Sequence, residues 1–165
     1  MPSPRLNRLH NDYAQLRARF DGNPYIAVNP VGVLPPEVYE IVFDVPSLVL
    51  DAQNRPRVSQ KTFVKLSLPA GYPKEKPHAV SSQPIFHPNF GDYICIADFW
   101  SPAQTLTDII LEIGQMLQWQ KYNIKAPLNA VAAEWAVKNL HELPISDLDL
   151  YGASGAPSVS FKPTI

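Results

Sequence analysis

Eighteen of the 165 residues are proline, and only seven are glycine. Proline fixes φ and removes a backbone donor, so it collects at corners, element ends and sheet edges. An average chain carries about 5% proline, so this one holds roughly twice the usual share. The shortage of glycine argues against a floppy linker. Apolar segments lie between the prolines, and hydrophobic content is 45%. Such a chain has enough to bury and does not read as disordered. The expectation is an ordered fold with rigid corners, of a length that suits one domain. The formal net charge is −1, without the basic footprint of a general nucleic-acid binder. No run approaches the ~18 apolar residues of a membrane span, and the first residues lack the apolar core of a signal peptide. One cysteine precludes an internal disulfide, paired-cysteine redox chemistry and a cysteine-rich zinc site. A reducing cytoplasm is the simplest setting.

The first segment reads as a helix. Ser3 caps it and Pro4 suits its first position. Leu6, Leu9, Tyr13, Leu16 and Phe20 recur at spacings of three and four, which gives one apolar stripe. Gly22 stops it. Residues 25–80 then change to a period of two. Tyr39, Ile41, Phe43 and Val45 alternate with Val38, Glu40, Val42 and Asp44, and a second run follows around Phe63 to Leu68. Residues 51–56 read as the turn between them, so an antiparallel meander of three to four strands is expected. Residues 72–102 show little periodicity but many prolines and aromatics. A loop that long in a compact domain is usually functional. Next comes a helix capped by Thr105, with Leu106, Ile109, Ile110, Ile113 and Leu117 inward. Asn129 caps another over residues 130–140, Pro144 breaks the chain, and residues 146–151 read as a last short helix. The tail, residues 152–165, reads as loose. The order of helix, sheet, irregular loop and helices defines an α+β domain over residues 1–151.

Cys95 lies in the irregular stretch, between Ile94 and Ile96. Alone, it reads as a buried small hydrophobe, as most single cysteines do. Its neighbours change the weighting. His87-Pro88-Asn89 stands shortly before it. Trp100-Ser101-Pro102-Ala103 follows and leads into a helix. Tyr72-Pro73 lies upstream, and Ala126-Pro127-Leu128-Asn129 downstream. His10, His78 and His141 are scattered, with no metal spacing, and no metal or cofactor is expected.

These words, in this order and with these elements between them, resemble the ubiquitin-conjugating enzyme family over roughly residues 3–150. The resemblance implies a transferase. Cys95 would accept the C-terminal glycine of ubiquitin or a ubiquitin-like protein from an activating enzyme, hold it as a thioester and pass it to an amine, lysine above all, of a target protein. ATP would be used by the activating enzyme and not here. A thiolate is a good nucleophile, and a thioester stays reactive toward amines. Asn89 matches the motif asparagine, which donates toward the oxyanion or braces the loop. His87 is read as a packed, hydrogen-bonded residue, with Pro88, Tyr72 and Trp100 as structural partners. Trp119 and Trp135 are read as packing aromatics. Arg5 and Arg8 match the helix face with which the family engages its activating enzyme, and equally fit a solvated face. Ser101, Pro102 and Ala103 match a loop that contacts ligases, although Pro102 equally fits a helix lead-in.

The chain departs from the family pattern in three places. The connections on both sides of Cys95, residues 90–94 and 96–99, are short. Ala126 stands where many members carry an acid that orients the acceptor lysine. A free lysine has a pKa near 10.4, so a substitute is expected. Asp98 is the first choice and Asp92 the second. Lys74, after Tyr72-Pro73, stands where an apolar ligase contact is common, and a charge there weakens such docking. A divergent member is expected, of the kind that a bacterial ubiquitin-like conjugation system would contain, and the ligase is left unassigned. Two other readings compete with this one. The first is a non-catalytic variant of the same fold that serves as a scaffold for a ubiquitin-like protein. The second is an unrelated cysteine hydrolase, for which the local signature and an assignable base are missing.

Overall fold

A computed structural model describes residues 1–96 and 99–151. Helix α1 spans Pro4–Phe20. The Ser3 Oγ accepts the Leu6 N–H at 3.1 Å, which satisfies one of the orphan donors of the first turn. Leu9, Leu16 and Phe20 are buried along its stripe. Gly22 follows at φ +77°, a backbone that side chains disfavour.

Four strands form the main sheet: β1 (Ile26–Val31), β2 (Val38–Phe43), β5 (Thr62–Ser67) and β6 (His78–Ser81), in the order β1-β2-β5-β6 and antiparallel throughout. Tyr39 sits opposite Leu66 and Ile41 opposite Val64, so one face presents Tyr39, Ile41, Phe43, Val64 and Leu66 to the core. The period-two reading of this row therefore holds. Helices α1 and α2 (Leu106–Leu117) bury their apolar sides in the same cluster. At the start of α2 the Thr105 Oγ1 accepts the Asp108 N–H at 3.1 Å.

Three local expectations need correction. The stretch before β5 is not a single turn. Residues 51–56 are the tip of a separate hairpin, β3 (Ser47–Leu50) with β4 (Pro56–Ser59). Its Leu48 is buried with Phe86, Trp119, Ala132 and Ala136 in a second apolar cluster. The last long helix, α3 (Ala130–Lys138), is shorter than expected and is followed by a 3-10 turn at Leu140–Glu142. The Asn139 amide donates to the Trp135 carbonyl at 2.8 Å, a local bond that ends the regular helix. Residues 146–151 are not helical. There the Gln120 amide donates to the carbonyls of Ser146 and Leu148, while the Asp149 carboxylate accepts the Tyr151 N–H. These side chain–backbone bonds replace a helical ladder. Leu150 packs directly over Gly114 of α2, where a Cβ would lie 2.4 Å from the leucine Cδ1. Residues 152–165, expected to be a loose tail, lie outside the described residues.

The irregular stretch is interrupted by β6, and its middle part packs into the core. Ile85, Phe86, Phe90, Ile94 and Ile96 all face inward. Its backbone is tied down one bond at a time: Phe86 N–H to Leu48 O and Ile94 N–H to Ala79 O, both 2.8 Å. Buried backbone groups need such partners.

Candidate functional site

The His87-Pro88-Asn89 arch is bolted to the segment between α2 and α3. The His87 Nδ1 accepts the Asn89 N–H at 3.0 Å. That fixes the proton on Nε2, which lies 3.0 Å from the Lys121 carbonyl and donates to it. His87 is fully buried, and burial pushes its pKa down to about 4. The ring is therefore neutral at physiological pH, with both nitrogens in use. The Pro88 carbonyl accepts from Leu128 N–H and Asn129 N–H, at 2.8 and 3.1 Å.

Asn89 extends this pattern through its side chain. Its Nδ2 donates to Asn123 O at 3.0 Å, and its Oδ1 accepts the Asn123 N–H at 2.9 Å. The two bonds together set the amide orientation. One Nδ2 hydrogen is consumed, and the second is uncommitted among the described residues. The Asn89 carbonyl then accepts the Cys95 N–H at 2.9 Å. Residues 90–94 close on themselves through a bridge between Phe90 and Ile94, so the short connection still brings Cys95 back to Asn89.

Cys95 is half-buried and lines a cavity of about 180 Å³ with Asn89, Glu112, Met116, Lys121, Tyr122 and Asn123. Two larger clefts, of about 600 and 570 Å³, lie along α1 with the β1–β2 connection and beside the β3–β4 hairpin. Neither includes Cys95, so the chemistry points to the smaller one. Across that cavity the Lys121 Nζ is 3.2 Å from the Glu112 Oε1. Among the described residues, no cluster of His, Cys, Asp and Glu could hold a metal ion.

The other residues singled out from sequence are spread around this centre. Tyr72 is buried, its hydroxyl donates to Asp12, and its ring centroid is 6.1 Å from that of Trp100. The Trp100 Nε1 donates to Pro73 O at 2.7 Å. Burial, and then the bond to Asp12, push the Tyr72 hydroxyl pKa upward. Arg5 pairs with Glu37 at 2.7 Å and also donates to Pro69 O at 3.0 Å. Arg8 is drawn inward. Its Nε contacts both oxygens of the buried Asp12 at 2.9 and 3.1 Å, and its Nη atoms donate to the carbonyls of Pro102 and Gln104. Ser101, Pro102 and Ala103 are exposed, as are Lys74, Asp92 and Ala126. Phe99 beside them is 90% exposed. Asp98 lies outside the described residues.

Sequence reasoning did not reach Glu112, Met116, Lys121, Tyr122 and Asn123. The last three sit in a connection without periodicity. Glu112 alone left a signal: it is an acid between Leu111 and Ile113, both buried, on a helix with eight buried residues.

Comparison with known proteins gives the family. The ubiquitin-conjugating enzyme family profile matches residues 47–143, a span that covers the hairpin, the arch, Cys95 and both later helices. The chain belongs to that family. Ubiquitin-conjugating enzyme E2 27 of Arabidopsis thaliana is 35% identical over 82 residues, 46% of this chain and 42% of that protein. Ubiquitin-conjugating enzyme E2-20 kDa of Schizosaccharomyces pombe is 34% identical over 79 residues, 45% of this chain and 44% of its own length. Each match therefore spans less than half of the relative. No described helix is long and apolar enough to cross a membrane.

Proposed function

We propose that this chain conjugates ubiquitin or a ubiquitin-like protein, with Cys95 as the acceptor of the modifier. The observation that carries this reading is the half-buried thiol of Cys95 at a cavity whose wall includes Asn89 of a braced His87-Pro88-Asn89 arch, in a chain of this family. The Cys95 sulfur displaces the activating enzyme's thiol from the modifier's terminal carbonyl. A target amine then attacks that carbonyl, the C–N bond forms, and the C–S electron pair returns to sulfur as the C–S bond breaks. No cofactor enters, because the acyl group arrives already activated by an ATP-using enzyme. The partners are the modifier, its activating enzyme and the target. The exposed loop of Ser101, Pro102 and Ala103 is the surface open to a ligase.

His87 serves the site as a strut and not as a base, since both of its nitrogens are engaged. Asn89 has two uses for one amide. One hydrogen holds the Asn123 backbone, and the second is available to the oxyanion of the tetrahedral adduct. Removing one such donor typically costs 10²–10³ in rate. Asp98 is proposed to help orient the acceptor in place of the acid missing at Ala126. Discharge to free lysine by Asp98→Ala at the wild-type rate would remove that role.

The decisive experiment is charging. Activating enzyme, modifier, ATP and this protein are combined and run on a gel without reductant. The expected result is a band that collapses with thiol and is absent in Cys95→Ala, with a thiol-resistant oxyester in Cys95→Ser. If a charged activating enzyme and its cognate modifier yield no band from folded protein, the scaffold reading replaces this one.

A further inference from the structure

We infer that Glu112 is a second carboxylate for the acceptor, the one that binds its ammonium within the Cys95 cavity while Asp98 helps orient it, and that Lys121 occupies its place until an acceptor arrives. The inference rests on the reading of Cys95 as a thioester carrier.

An acceptor lysine approaches as an ammonium, because its unperturbed pKa is near 10.4. A carboxylate in the reaction cavity captures that form and aims the nitrogen. Ala126, where the family resemblance implies an acid, is exposed. Among the described residues, Glu112 is the one acid that lines the cavity of Cys95. It projects from α2, between buried neighbours, and its side chain is 19% exposed. A rigid helix and a half-dry setting hold a carboxylate better than a loop tip does.

Lys121 already demonstrates the contact. Its Nζ lies 3.2 Å from the Glu112 Oε1, and both side chains line the cavity. A primary ammonium therefore fits against this carboxylate. Lys121 itself is 57% exposed, so the pair is weak and easily exchanged. The backbone of Lys121 is fixed independently, through His87 on its carbonyl, so the side chain can swing away without loosening the arch. The seated ammonium releases one proton to water, which frees the lone pair for attack on the thioester carbonyl. The adduct's remaining excess N–H proton passes through solvent to the departing Cys95 thiolate as the C–S bond breaks. The products are the amide, the free thiol and one proton released to water, and the part played by Glu112 is to hold and aim the amine.

The test separates this inference from the reading beneath it. Wild type, Glu112→Gln, Glu112→Asp, Lys121→Ala and Asp98→Ala are first charged. All five are expected to form the thioester at similar rates. Discharge is then followed against free lysine concentration. Glu112→Gln is expected to raise the KM for lysine about tenfold, the worth of one charge-assisted hydrogen bond. Glu112→Asp should restore part of the loss. Lys121→Ala should lower the KM, since the competing ammonium is gone. Hydroxylamine, a nucleophile uncharged at neutral pH, should discharge wild type and Glu112→Gln equally. Three results would overturn the inference: a lysine KM unchanged in Glu112→Gln, a loss equal for lysine and hydroxylamine, or slower charging in Glu112→Gln, which would assign the carboxylate to the modifier's tail. A KM effect in Asp98→Ala alone would move the acceptor seat to that residue. Absence of any thioester would refute the conjugating reading itself.

Discussion

The sheet layer and the Cys95 arch are both buried, yet they are held together by different means. In the sheet, order is collective. Tyr39, Ile41 and Phe43 project from one face into a cluster shared with α1 and α2, and each backbone bond is one rung of a ladder. In the arch, order is a sum of single contacts. His87 holds Lys121, Asn89 holds Asn123, and Pro88 holds two N–H groups at once. A ladder tolerates loss of a rung but not loss of its packing volume. An arch built of individual bonds tolerates little change in any of them, yet it contributes less to global stability. The difference teaches where stability and reactivity reside: the first in apolar volume, the second in polar geometry.

That contrast can be broken most forcefully from the sheet side. Phe43 is fully buried against α2. Phe43→Ala should cost about 3–5 kcal/mol in chemical denaturation, while the fraction that remains folded still charges normally. A smaller loss, or a charging defect in the folded fraction, would mean that the two regions are not separable. Next in size is the pH response of the arch. The folded pKa of His87 is about 4 against an ordinary 6.5. Between those values the unfolded chain binds a proton that the folded one refuses. Stability should therefore be complete above pH 6.5 and fall by up to about 3 kcal/mol as pH drops toward 4. His87→Gln should flatten that window in a denaturation series, and an unchanged slope would assign it to other groups. The smallest stability effect is expected at Asn89. Asn89→Ala leaves two Asn123 backbone groups without partners, worth about 1–3 kcal/mol. Its discharge rate should nonetheless drop far more than its stability implies. Equal loss of both would make the residue a brace alone.

Sequence legibility divides along the same line. Collective order writes itself as period: the stripe of α1, the row from Tyr39 to Phe43 and the inward face of α2 follow from spacing, and Ser3, Thr105 and Asn129 mark three helix starts by their hydroxyl or amide chemistry. The β3–β4 hairpin escaped because its arms are four residues each, too short to display a period, and because Asp51 and Pro56 read as one turn. Residues 146–151 carried a helix-like run, but their carbonyls are claimed by Gln120, a partner 26 and 28 positions away. At the site, Cys95 and the arch were legible as words. The opposite wall of the cavity was not, since Lys121, Tyr122 and Asn123 act through where their backbone lies and follow no pattern of residue type.

Arg8 ties together parts of the molecule that are far apart in sequence. One guanidinium joins the carboxylate of Asp12 to the carbonyls of Pro102 and Gln104. A ligand that recruits Arg8 from the outer side of α1 must first strip the 101–104 loop of two of its anchors. By thermodynamic reciprocity, whatever grips that loop from outside must change the affinity of the helix for such a ligand by the same factor. The two surfaces therefore cannot be tuned independently: a single side chain makes them one exchange, in which engagement at either end is felt at the other.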